Sequence, residues 1–558
     1  MNAMQPDRTT PARRARVPAR RGRRDVSVVA ATILALAATA AAAGETELIS
    51  VHAFTGEAAG QSALRGADTV SADGRYVVFQ SRKYSLVPAD TNRLGDIFVR
   101  DRWFGTTRRV SVASNGAQSN GYSDAPSISA DGRHVVFQTD ATNLVPNGPP
   151  GSNIYLHDTS TGRTELISAA FDGSGADQGS YEPSVSRDGR YVAFMSTATN
   201  LIAGYVGRHH SVYVRDRAAG RTTLVSEGWA YSVVVSADGR SVAFDTDARM
   251  SPEDVNGSQD VYVRDQTTGV VELVSVTPAG FSGLYGGSSP SLSADGRYVA
   301  FSSRSPNLVP DDSNGTDDVF VRDRHARTTS RVSLDASGRQ IAWGGQGAQF
   351  GPSISADGRF VTFVSTDPFV VPGDANGAPD GFVRDTWLQR TRIVTVGSDG
   401  RQGYSQGPIT LSVAGSGRYV AFDSYSAGLV PNDVNYADDV FVRDLGSVPA
   451  PVAPAFTLRP AALDFGDQPV GSATARSFWL RNTGDTPLTV TRLRVRGEDA
   501  AMYAAVHRCG AALPAGTGCA IRVTYRPTSQ GLHAATLVVV IGDELRRTRP
   551  LSGRGTAP

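Results

Sequence analysis

A nine-residue segment recurs along most of this chain and limits what the chain can fold into. It reads SADGRYVAF at residues 293–301, and five near-copies stand at 71–79, 129–137, 186–194, 236–244 and 355–363. A degenerate seventh copy, AGSGR, occupies 414–418. Successive copies are 58, 57, 50, 57, 62 and 59 residues apart. A period of this length indicates an array of similar structural units.

Each unit contains four short segments with the pattern of β-strands. In the unit 290–333 these are PSLS, YVAFSS, DVFVRD and TSRVS, each with apolar alternation or β-branched residues. The third segment occurs seven times, at 96–101, 153–158, 211–216, 260–265, 318–323, 380–385 and 439–444. Four strands in every repeat are typical of a β-propeller, so the sequence predicts seven blades over residues 44–446.

The recurring Asp-Gly is explained by turn chemistry. Ala294-Asp295-Gly296-Arg297 separates the first and second predicted strands by a tight hairpin. Glycine tolerates positive φ at such a turn, and aspartate accepts hydrogen bonds from the turn backbone. A catalytic role for this aspartate is the weaker interpretation.

The fourth strand predicts how the ring closes. It follows the third strand in six units, but after Asp444 the chain continues into LGSVPAPVAPA. A matching segment, TELIS, stands before the first unit at residues 46–50. We therefore expect this N-terminal strand to complete the last blade.

The repeat resembles the TolB-type, WD40-like propeller family. The resemblance rests on the pattern S-x-D-G-[RK]-x-[IV]-x-[FW] followed by D-[IV]-[FY]-V, and it covers residues 45–445. It implies the propeller fold and says little about function. The N-terminal α/β domain of TolB is missing from this match, so the Tol–Pal partnership is not carried over.

The N-terminal residues 1–43 have the pattern of a bacterial export signal. Eight arginines precede the uncharged segment VSVVAATILALAATAAAA at 26–43, which ends in small residues. Cleavage after residue 43 and retention as a membrane anchor both fit this pattern, as do the general and the twin-arginine export routes. The predicted location is secreted or in the cell envelope.

Charge divides the remaining chain into two parts. Residues 44–454 carry a net charge of −11, and residues 455–558 carry +6. An acidic body of this size does not indicate a nucleic-acid-binding protein. The two cysteines, Cys509 and Cys519, lie in the part expected to be exported, which predicts one disulfide.

A second domain is expected after the stiff, proline-rich linker 447–455. Residues 456–558 lack the repeat and alternate apolar with polar residues, which predicts an immunoglobulin-like β-sandwich. Leu463-Asp464-Phe465-Gly466, Asn482-Thr483-Gly484, Cys509, Gly518-Cys519 and Tyr525-Arg526-Pro527 resemble the Hydin/ASH family. Its bacterial members include the choice-of-anchor D domains.

No catalytic residue is predicted. GYSQG at 403–407 matches the G-x-S-x-G nucleophile motif, but a polar loop and the first strand of a unit flank it, where the motif requires a strand and a helix. The same place in the second unit reads GYSDAPSIS at 121–129, so Ser405 is a variant of the repeat. No zinc-ligand spacing is present either.

Calcium is the candidate metal, and no other cofactor is expected. Five loops between second and third strands carry D-x-N followed by a further Asp, and three of them resemble calcium loops in having a glycine after the Asn. Asx turns explain the same residues without a metal. The candidate ligands are Asp254, Asn256, Asp260, Asp312, Asn314, Asp318, Asp374, Asn376 and Asp380. The other two loops are Asp90/Asn92/Asp96 and Asp433/Asn435/Asp439.

The predicted function is that of a monomeric, exported bacterial binding or scaffold protein. Its ligand is expected to be an extracellular glycan or a cell-envelope protein on the propeller face that carries the long loops. Contact with a membrane is expected only through a retained signal anchor. The candidate ligand-binding residues are Tyr122, Tyr181, Tyr285, Phe350 and Tyr404. The alternatives are a carbohydrate-active lyase or hydrolase using acids in the propeller mouth, and a purely structural envelope component.

Overall fold

The structure, a computed structural model, describes residues 44–557 except 67, 206–208, 343–350, 404–408, 447–455, 485–486, 511, 515 and 543–544. The predicted signal at 1–43 and the linker at 447–455 therefore lie outside the described residues. Among the residues that the structure describes, no helix is long and apolar enough to cross a membrane.

The repeat region consists of short β-strands. They are β1 (Thr46–Leu48), β2 (Ser62–Ala63), β3 (Tyr76–Ser81), β4 (Asp96–Asp101), β5 (Thr106–Arg109), β6 (Ser123–Ile128), β7 (His134–Thr139), β8 (Asn153–Asp158), β9 (Arg163–Leu166), β10 (Ser180–Val185), β11 (Tyr191–Ser196), β12 (Ser211–Asp216), β13 (Arg221–Ser226), β14 (Ala230–Val235), β15 (Ser241–Thr246), β16 (Asp260–Asp265), β17 (Val271–Leu273), β18 (Ser288–Leu292), β19 (Tyr298–Ser303), β20 (Asp318–Asp323), β21 (Thr328–Arg331), β22 (Phe360–Ser365), β23 (Asp380–Asp385), β24 (Arg390–Ile393), β25 (Leu411–Val413), β26 (Tyr419–Ser424) and β27 (Asp439–Asp444).

These strands form antiparallel sheets that we name blades 1 to 7 in chain order. The sheets found in the described residues are β2-β3-β4-β5, β6-β7-β8-β9, β10-β11-β12-β13, β14-β15-β16-β17, β18-β19-β20-β21, β22-β23-β24 and β1-β27-β26-β25. We call the first strand of each blade its inner strand. In the described part of blade 6 the inner strand is reduced to a single bridge between Ile354 and Val361. In blade 1 the inner strand is divided into β2, which pairs with β3, and a separate bridge between Val70 and Val77.

A ring of backbone hydrogen bonds joins the inner ends of the blades. One residue at the SADGR turn of each blade donates its N–H to a carbonyl of the next blade, at N···O distances of 2.8–3.2 Å. The ring runs Ala72, Ala130, Arg187, Ala237, Ala294, Ala356 and Gly415, and Ser416 donates back to Ala72. This closed arrangement of antiparallel sheets is a β-propeller, as predicted.

The last blade contains the N-terminal strand. β1 pairs antiparallel with β27, and Thr46 lies opposite Arg443. Just beyond β1, the Ser50 hydroxyl donates to Asp439 at 2.6 Å. The pairing expected for residues 46–50 is therefore present.

The interior of each blade explains the repeated YVAF and VFV segments. One aromatic ring from the second strand stacks on one from the third, with ring centroids 5.3–6.4 Å apart. Phe301 and Phe320 form this pair in blade 5, and both are fully buried. Burying such rings in every blade provides much of the apolar stabilisation between strands.

The SADGR turn is a structural device in each blade. Asp295 accepts hydrogen bonds from Ser293 Oγ at 2.7 Å and from the Arg297 backbone N–H at 3.0 Å. Gly296 has φ +68°, a conformation that glycine adopts without strain. The turn arginine then binds the final aspartate of the third strand at 2.7–2.8 Å, in the pairs Arg75–Asp101, Arg133–Asp158, Arg190–Asp216, Arg240–Asp265, Arg297–Asp323, Arg359–Asp385 and Arg418–Asp444.

The C-terminal domain is a sandwich of two sheets. Its strands are β28 (Phe456–Arg459), β29 (Leu463–Pro469), β30 (Thr474–Asn482), β31 (Val490–Arg496), β32 (Tyr503–His507), β33 (Gly518–Tyr525), β34 (Gly531–Ile541) and β35 (Leu545–Thr556), with a 3₁₀ turn at Ala500–Met502. The sheets have the orders β28-β30-β33-β32 and β29-β35-β34-β31. Cys509 and Cys519 form the predicted disulfide.

The buried face of the sandwich follows the alternation seen in the sequence. The apolar residues at alternate strand positions are all buried, namely Phe478, Leu480, Leu488, Val490, Ile521, Val523 and Tyr525. They belong to one hydrophobic cluster, which contains only residues of this domain. The outward faces of the two sheets carry mainly polar and charged side chains, and the exposed exceptions are Trp479, Val506 and Leu532.

Candidate ligand-binding face

The two faces of the propeller differ in their connections. Connections from second to third strands and from one blade to the next lie on one face, which we call the long-loop face. Most of the strongly exposed aromatic side chains in the described propeller residues lie on these connections. They are Phe54, Tyr84, Phe171, Trp229, Phe281, Tyr285, Phe369, Tyr425 and Tyr436. On the opposite, short-turn face the exposed aromatic residues are Trp103 and Phe104.

Three of the five predicted ligand-binding residues are described. The ring of Tyr122 is half-buried, and the Arg82 guanidinium lies 5.4 Å from its centroid. Tyr285 lies between blades 4 and 5 and is 58% exposed. Tyr181 joins a group of rings between blades 3 and 4. Phe350 and Tyr404 lie outside the described residues, so the structure does not test them.

Among the described residues of the long-loop face, the group around Tyr181 is the largest stack of rings. The ring centroid of Tyr181 lies 5.5 Å from that of His210, with an interplanar angle of 15°. The centroid of His210 lies 5.2 Å from that of Trp229, with an interplanar angle of 17°. His209 contacts Trp229 from another side, at 5.6 Å. We call these four residues the aromatic stack. Trp229 remains 48% exposed, so part of the stack faces solvent.

A shortened connection places the stack. Only residues 227–229 join β13 to β14, whereas residues 167–179 join β9 to β10 at the preceding blade boundary. The short connection brings Trp229 beside the loop that carries His209 and His210. The 50-residue spacing between the third and fourth repeats is the sequence signal of this change.

An axial cavity of about 270 Å³ is lined in part by residues that neighbour the aromatic stack in the sequence. Glu182 follows Tyr181 directly, and Tyr231 follows Trp229 by two residues. Both line the cavity, together with Arg65 and Asp68. None of the three described tyrosines among the predicted site residues is part of its lining.

Burial raises the pKa of the acids at this cavity. The pKa of Glu182 is raised to about 7, mainly because burial disfavours its charge, and the nearby Asp124 carboxylate adds to the effect. Burial also raises the pKa of Asp68, although the hydrogen bond with the Ser184 side chain lowers it in part. Asp124 Oδ1 and Arg65 Nε are buried without a hydrogen-bond partner among the described residues. The axial cavity is therefore a polar site in which burial raises the pKa of one carboxyl group, that of Glu182, to about 7.

Glu182 also has an uncommon backbone conformation. Its φ is +50°, and it lies in the β-bulge where the pairing of β10 with β11 shifts register. Ala125 and Ser289 occupy the same bulge position in blades 2 and 5, with φ of +47° and +53°. The bulge is thus a feature of the repeat, and only blade 3 uses it to present a carboxyl group.

These acids were not predicted from the sequence. They belong to no recognised motif, and their signal lies in an alignment of the repeats. Asp68 occupies the position of Pro126, Pro183 and Pro290, and Glu182 that of Ala125. An acid at a position where the other repeats carry proline or a small residue marks a departure from the structural pattern.

The D-x-N loops form hydrogen bonds within the protein. Asn314 and Asn376 donate Nδ2–H to Asp318 and Asp380 at 3.0 and 2.8 Å, and Asn256 donates to the Gly283 carbonyl at 2.5 Å. The Oδ1 atom of each Asn accepts a backbone N–H two residues later, which is the geometry of an Asx turn.

The first aspartate of each loop also has protein partners. Asp312 binds Arg331 at 3.2 Å, Asp374 accepts from Gln402 at 3.2 Å, and Asp254 accepts from Tyr262 at 2.6 Å. No group of three or more His, Cys, Asp or Glu side chains in the described residues has a metal-binding arrangement. The hydrogen bonds are those of the Asx-turn interpretation, and calcium binding stays a prediction.

Comparison with known families identifies the C-terminal domain. Residues 452–548 match the model of the family described as "Abnormal spindle-like microcephaly-assoc'd, ASPM-SPD-2-Hydin". The C-terminal domain is a Hydin/ASH-like immunoglobulin-like domain. The match agrees with the two-sheet sandwich described above. A search among curated proteins found no match to the chain.

Comparison with solved structures gives matches of low sequence identity. A putative TolB from Agrobacterium tumefaciens is 16% identical, with a TM-score of 0.33, covering 61% of this chain and 95% of that one. The RRP9 WD40 repeats are 9% identical, with a TM-score of 0.40, covering 72% and 98%. An acylaminoacyl peptidase from Pyrococcus horikoshii is 10% identical, with a TM-score of 0.40, covering 73% and 56%. The propeller assignment itself rests on the strand pairing of this chain.

Proposed function

We propose that this protein is an exported binding or scaffold protein whose long-loop face recognises an extracellular glycan. The observation that carries the proposal is the aromatic stack between blades 3 and 4, with Trp229 48% exposed. The wider concentration of exposed aromatic side chains on the same face supports it.

The chemistry of the stack suits a saccharide. The C–H groups on one face of a sugar ring form an apolar surface that packs on an aromatic ring, while its hydroxyls need polar partners. Here the rings of Tyr181, His210 and Trp229 are held in place by one another. Glu182 and Tyr231, which follow Tyr181 and Trp229 by one and two residues, line the axial cavity together with Asp68 and provide hydrogen-bonding groups.

Binding to a glycan panel tests the proposal. We expect the Trp229→Ala variant to lose binding of the glycan that the native protein selects, without a change in melting temperature. The matched control is Phe104→Ala, because Phe104 is a 74% exposed aromatic residue on the short-turn face. Loss of binding in the control, with binding retained in Trp229→Ala, would place the site on the other face and refute the proposal.

A second candidate function is a lyase or hydrolase that uses the axial cavity. The specific observation in its favour is Glu182, whose pKa of about 7 suits a general acid near neutral pH. Release of reducing sugar or unsaturated product from the same glycan panel would support it. If Glu182 is the general acid, the Glu182→Gln variant releases no product. If the native protein binds a glycan and releases no product from it, the result supports the binding function and not the enzyme.

Export and metal content complete the proposal. The export signal is inferred from residues 1–43 alone, and N-terminal sequencing of protein from the medium and from membranes distinguishes cleavage from anchoring. Calcium is the proposed ion for the D-x-N loops. A monomer is proposed, and size-exclusion chromatography with light scattering measures it.

A further inference from the structure

The C-terminal domain has an outward sheet face that the propeller's binding role does not use. This face belongs to the sheet β28-β30-β33-β32 and carries Trp479, which is 54% exposed. Arg459 lies directly opposite Trp479 on β28, and Arg481 follows it by two residues on β30. Arg522 lies opposite Ser477, two residues before Trp479. We call these four residues the Trp479 face.

Strand geometry brings the four side chains together. Residues directly opposite on paired strands have Cβ atoms about 5 Å apart, and residues two apart on a strand are separated by about 6.7 Å. Trp479 is thus surrounded on three sides by arginines, all of them exposed. The other outward positions of these strands carry Thr457, Ala475, Ser477, Ala504, Val506, Gly518, Ala520 and Thr524. No acidic residue is present on this face.

Gly518 allows the indole to lie flat on the sheet. A Cβ atom added at Gly518 would lie 2.4 Å from Trp479 Nε1, so the ring crosses the strand at the one residue without a side chain. One face of the ring therefore packs on the backbone while the ring remains about half exposed. This arrangement makes a flat aromatic platform.

The arginines of this domain differ from those of the propeller. Each SADGR arginine is paired with an aspartate, whereas no described arginine of the sandwich forms an ion pair. The domain carries a net charge of +6, and unpaired guanidinium groups attract anions and bind carboxylate or sulfate groups in a bidentate manner. The positive charge of the Trp479 face is thus available to a ligand.

We propose that the Trp479 face binds an acidic polysaccharide. A sugar ring packs on the indole of Trp479, and carboxylate or sulfate groups of the neighbouring sugars bind Arg459, Arg481 and Arg522. Single-stranded nucleic acid is the less favoured polyanion, because successive bases need successive aromatic platforms and this face has one. The proposal is independent of the glycan selected by the propeller.

Binding of the full chain to immobilised polygalacturonate and heparin tests the proposal, with dextran as the neutral polymer. We expect binding to at least one acidic polymer and none to dextran, with Trp479→Ala and the triple variant R459Q/R481Q/R522Q each weaker by about tenfold or more. Retention by Trp479→Phe is expected, since a phenyl ring keeps the platform. The polygalacturonate and heparin arms separate carboxylate from sulfate recognition.

Two variants distinguish a built site from general charge attraction. The triple variant R492Q/R494Q/R496Q removes the same charge from exposed positions on β31, in the other sheet, and we expect it to retain most of the affinity. Gly518→Ala keeps every charge but displaces the indole, so it should weaken binding as Trp479→Ala does. Equal losses in both triple variants, no binding to either acidic polymer, or tighter binding of a thymidine oligonucleotide would each overturn the proposal. Trp229→Ala should leave this binding unchanged, so the two glycan sites fail independently.

Discussion

At the scale of single residues, the repeated arginine–aspartate pair explains why two distant motifs recur together. The arginine of the SADGR turn and the last aspartate of the third strand form an ion pair in every blade, so each motif needs the other. The pair has two hydrogen bonds in blade 5 and one in blade 4. The environment of the pair differs between blades. Arg359 and Asp385 are buried, with side chains 3% and 6% exposed, whereas the Arg240 side chain of blade 4 is 57% exposed.

This difference predicts unequal costs for the same substitution. Asp385→Asn should destabilise the protein by about 3 kcal/mol, because removing one partner of a buried pair leaves the other charge poorly compensated. Asp265→Asn, the matched control in blade 4, should cost less than about 1 kcal/mol, since exposed pairs contribute little. Urea denaturation of the two variants measures both values. Equal costs would contradict the role assigned to burial.

Buried aspartates predict a pH dependence of stability. Burial raises the pKa of Asp260 to about 7, against which the hydrogen bond from Ser275 acts only partly. The folded state therefore keeps a proton that the unfolded state loses near pH 4. The stabilisation that protonated Asp260 gives the folded state is fully present below about pH 4 and is lost as the pH rises through about 7.

The Asp260→Asn variant should accordingly show a smaller loss of stability between pH 4 and 7 than the native protein. Melting temperatures measured at half-unit steps across this range provide the slope. Asp317→Asn serves as the control, because Asp317 is exposed and its removal changes the net charge equally. A slope unchanged in Asp260→Asn but reduced in Asp317→Asn would contradict the assignment.

At the scale of strands, the repeat allowed most elements to be predicted, because turn chemistry and period-two alternation agree in every unit. The inner strands were the exception. In blade 1 the inner segment consists of the two-residue strand β2 and a separate bridge, and in the described part of blade 6 it forms only a bridge. In blades 2, 3, 4 and 5 it contains a register shift. The aromatic stack could not be predicted as a unit, because it forms where Tyr181, His210 and Trp229 arrive from different segments.

The closing strand predicts the effect of a deletion. Removing residues 44–52 would take away β1 and the Ser50–Asp439 hydrogen bond, leaving the edge of β27 unpaired. We expect a fall in melting temperature of more than about 5 °C, which corresponds to a loss of roughly 4 kcal/mol or more in a propeller of about 400 residues. The single variant Ser50→Ala should have a smaller effect. An unchanged melting temperature after the deletion would mean that β1 does not hold the ring closed.

The D-x-N loops predict the outcome of a calcium titration. An ion that binds only the folded state stabilises it by RT ln(1 + [L]/Kd), so the melting temperature rises with the ion concentration, and chelator removes that gain. We expect Asp318→Asn to abolish any such gain at its loop, with Asp311→Asn, an exposed neighbour in the same loop, as the control. Identical melting curves in calcium and in chelator would leave the Asx turns as the whole explanation.

At the scale of the whole molecule, the described chain consists of an acidic propeller and a basic sandwich with separate hydrophobic cores. The sandwich cluster contains residues from Leu458 to Leu551, and the propeller clusters contain none of them. Composition and period were sufficient to predict this division. The Trp479 face was not predicted, because its side chains belong to strands whose pairing only the structure defines.

Separate cores predict that reducing the disulfide affects one domain alone. Cys509 and Cys519 close a loop with a sequence separation of 10, and a bridge of that size contributes roughly 3 kcal/mol in the chain-entropy model. In calorimetry we expect two transitions, of which only the smaller, from the sandwich, moves to lower temperature with dithiothreitol. The double variant C509S/C519S should show the same shift and no further response to reductant, because it has no bridge to lose. If the larger propeller transition moved by the same amount, the two domains would unfold as one cooperative unit, and the division into independent cores would be wrong.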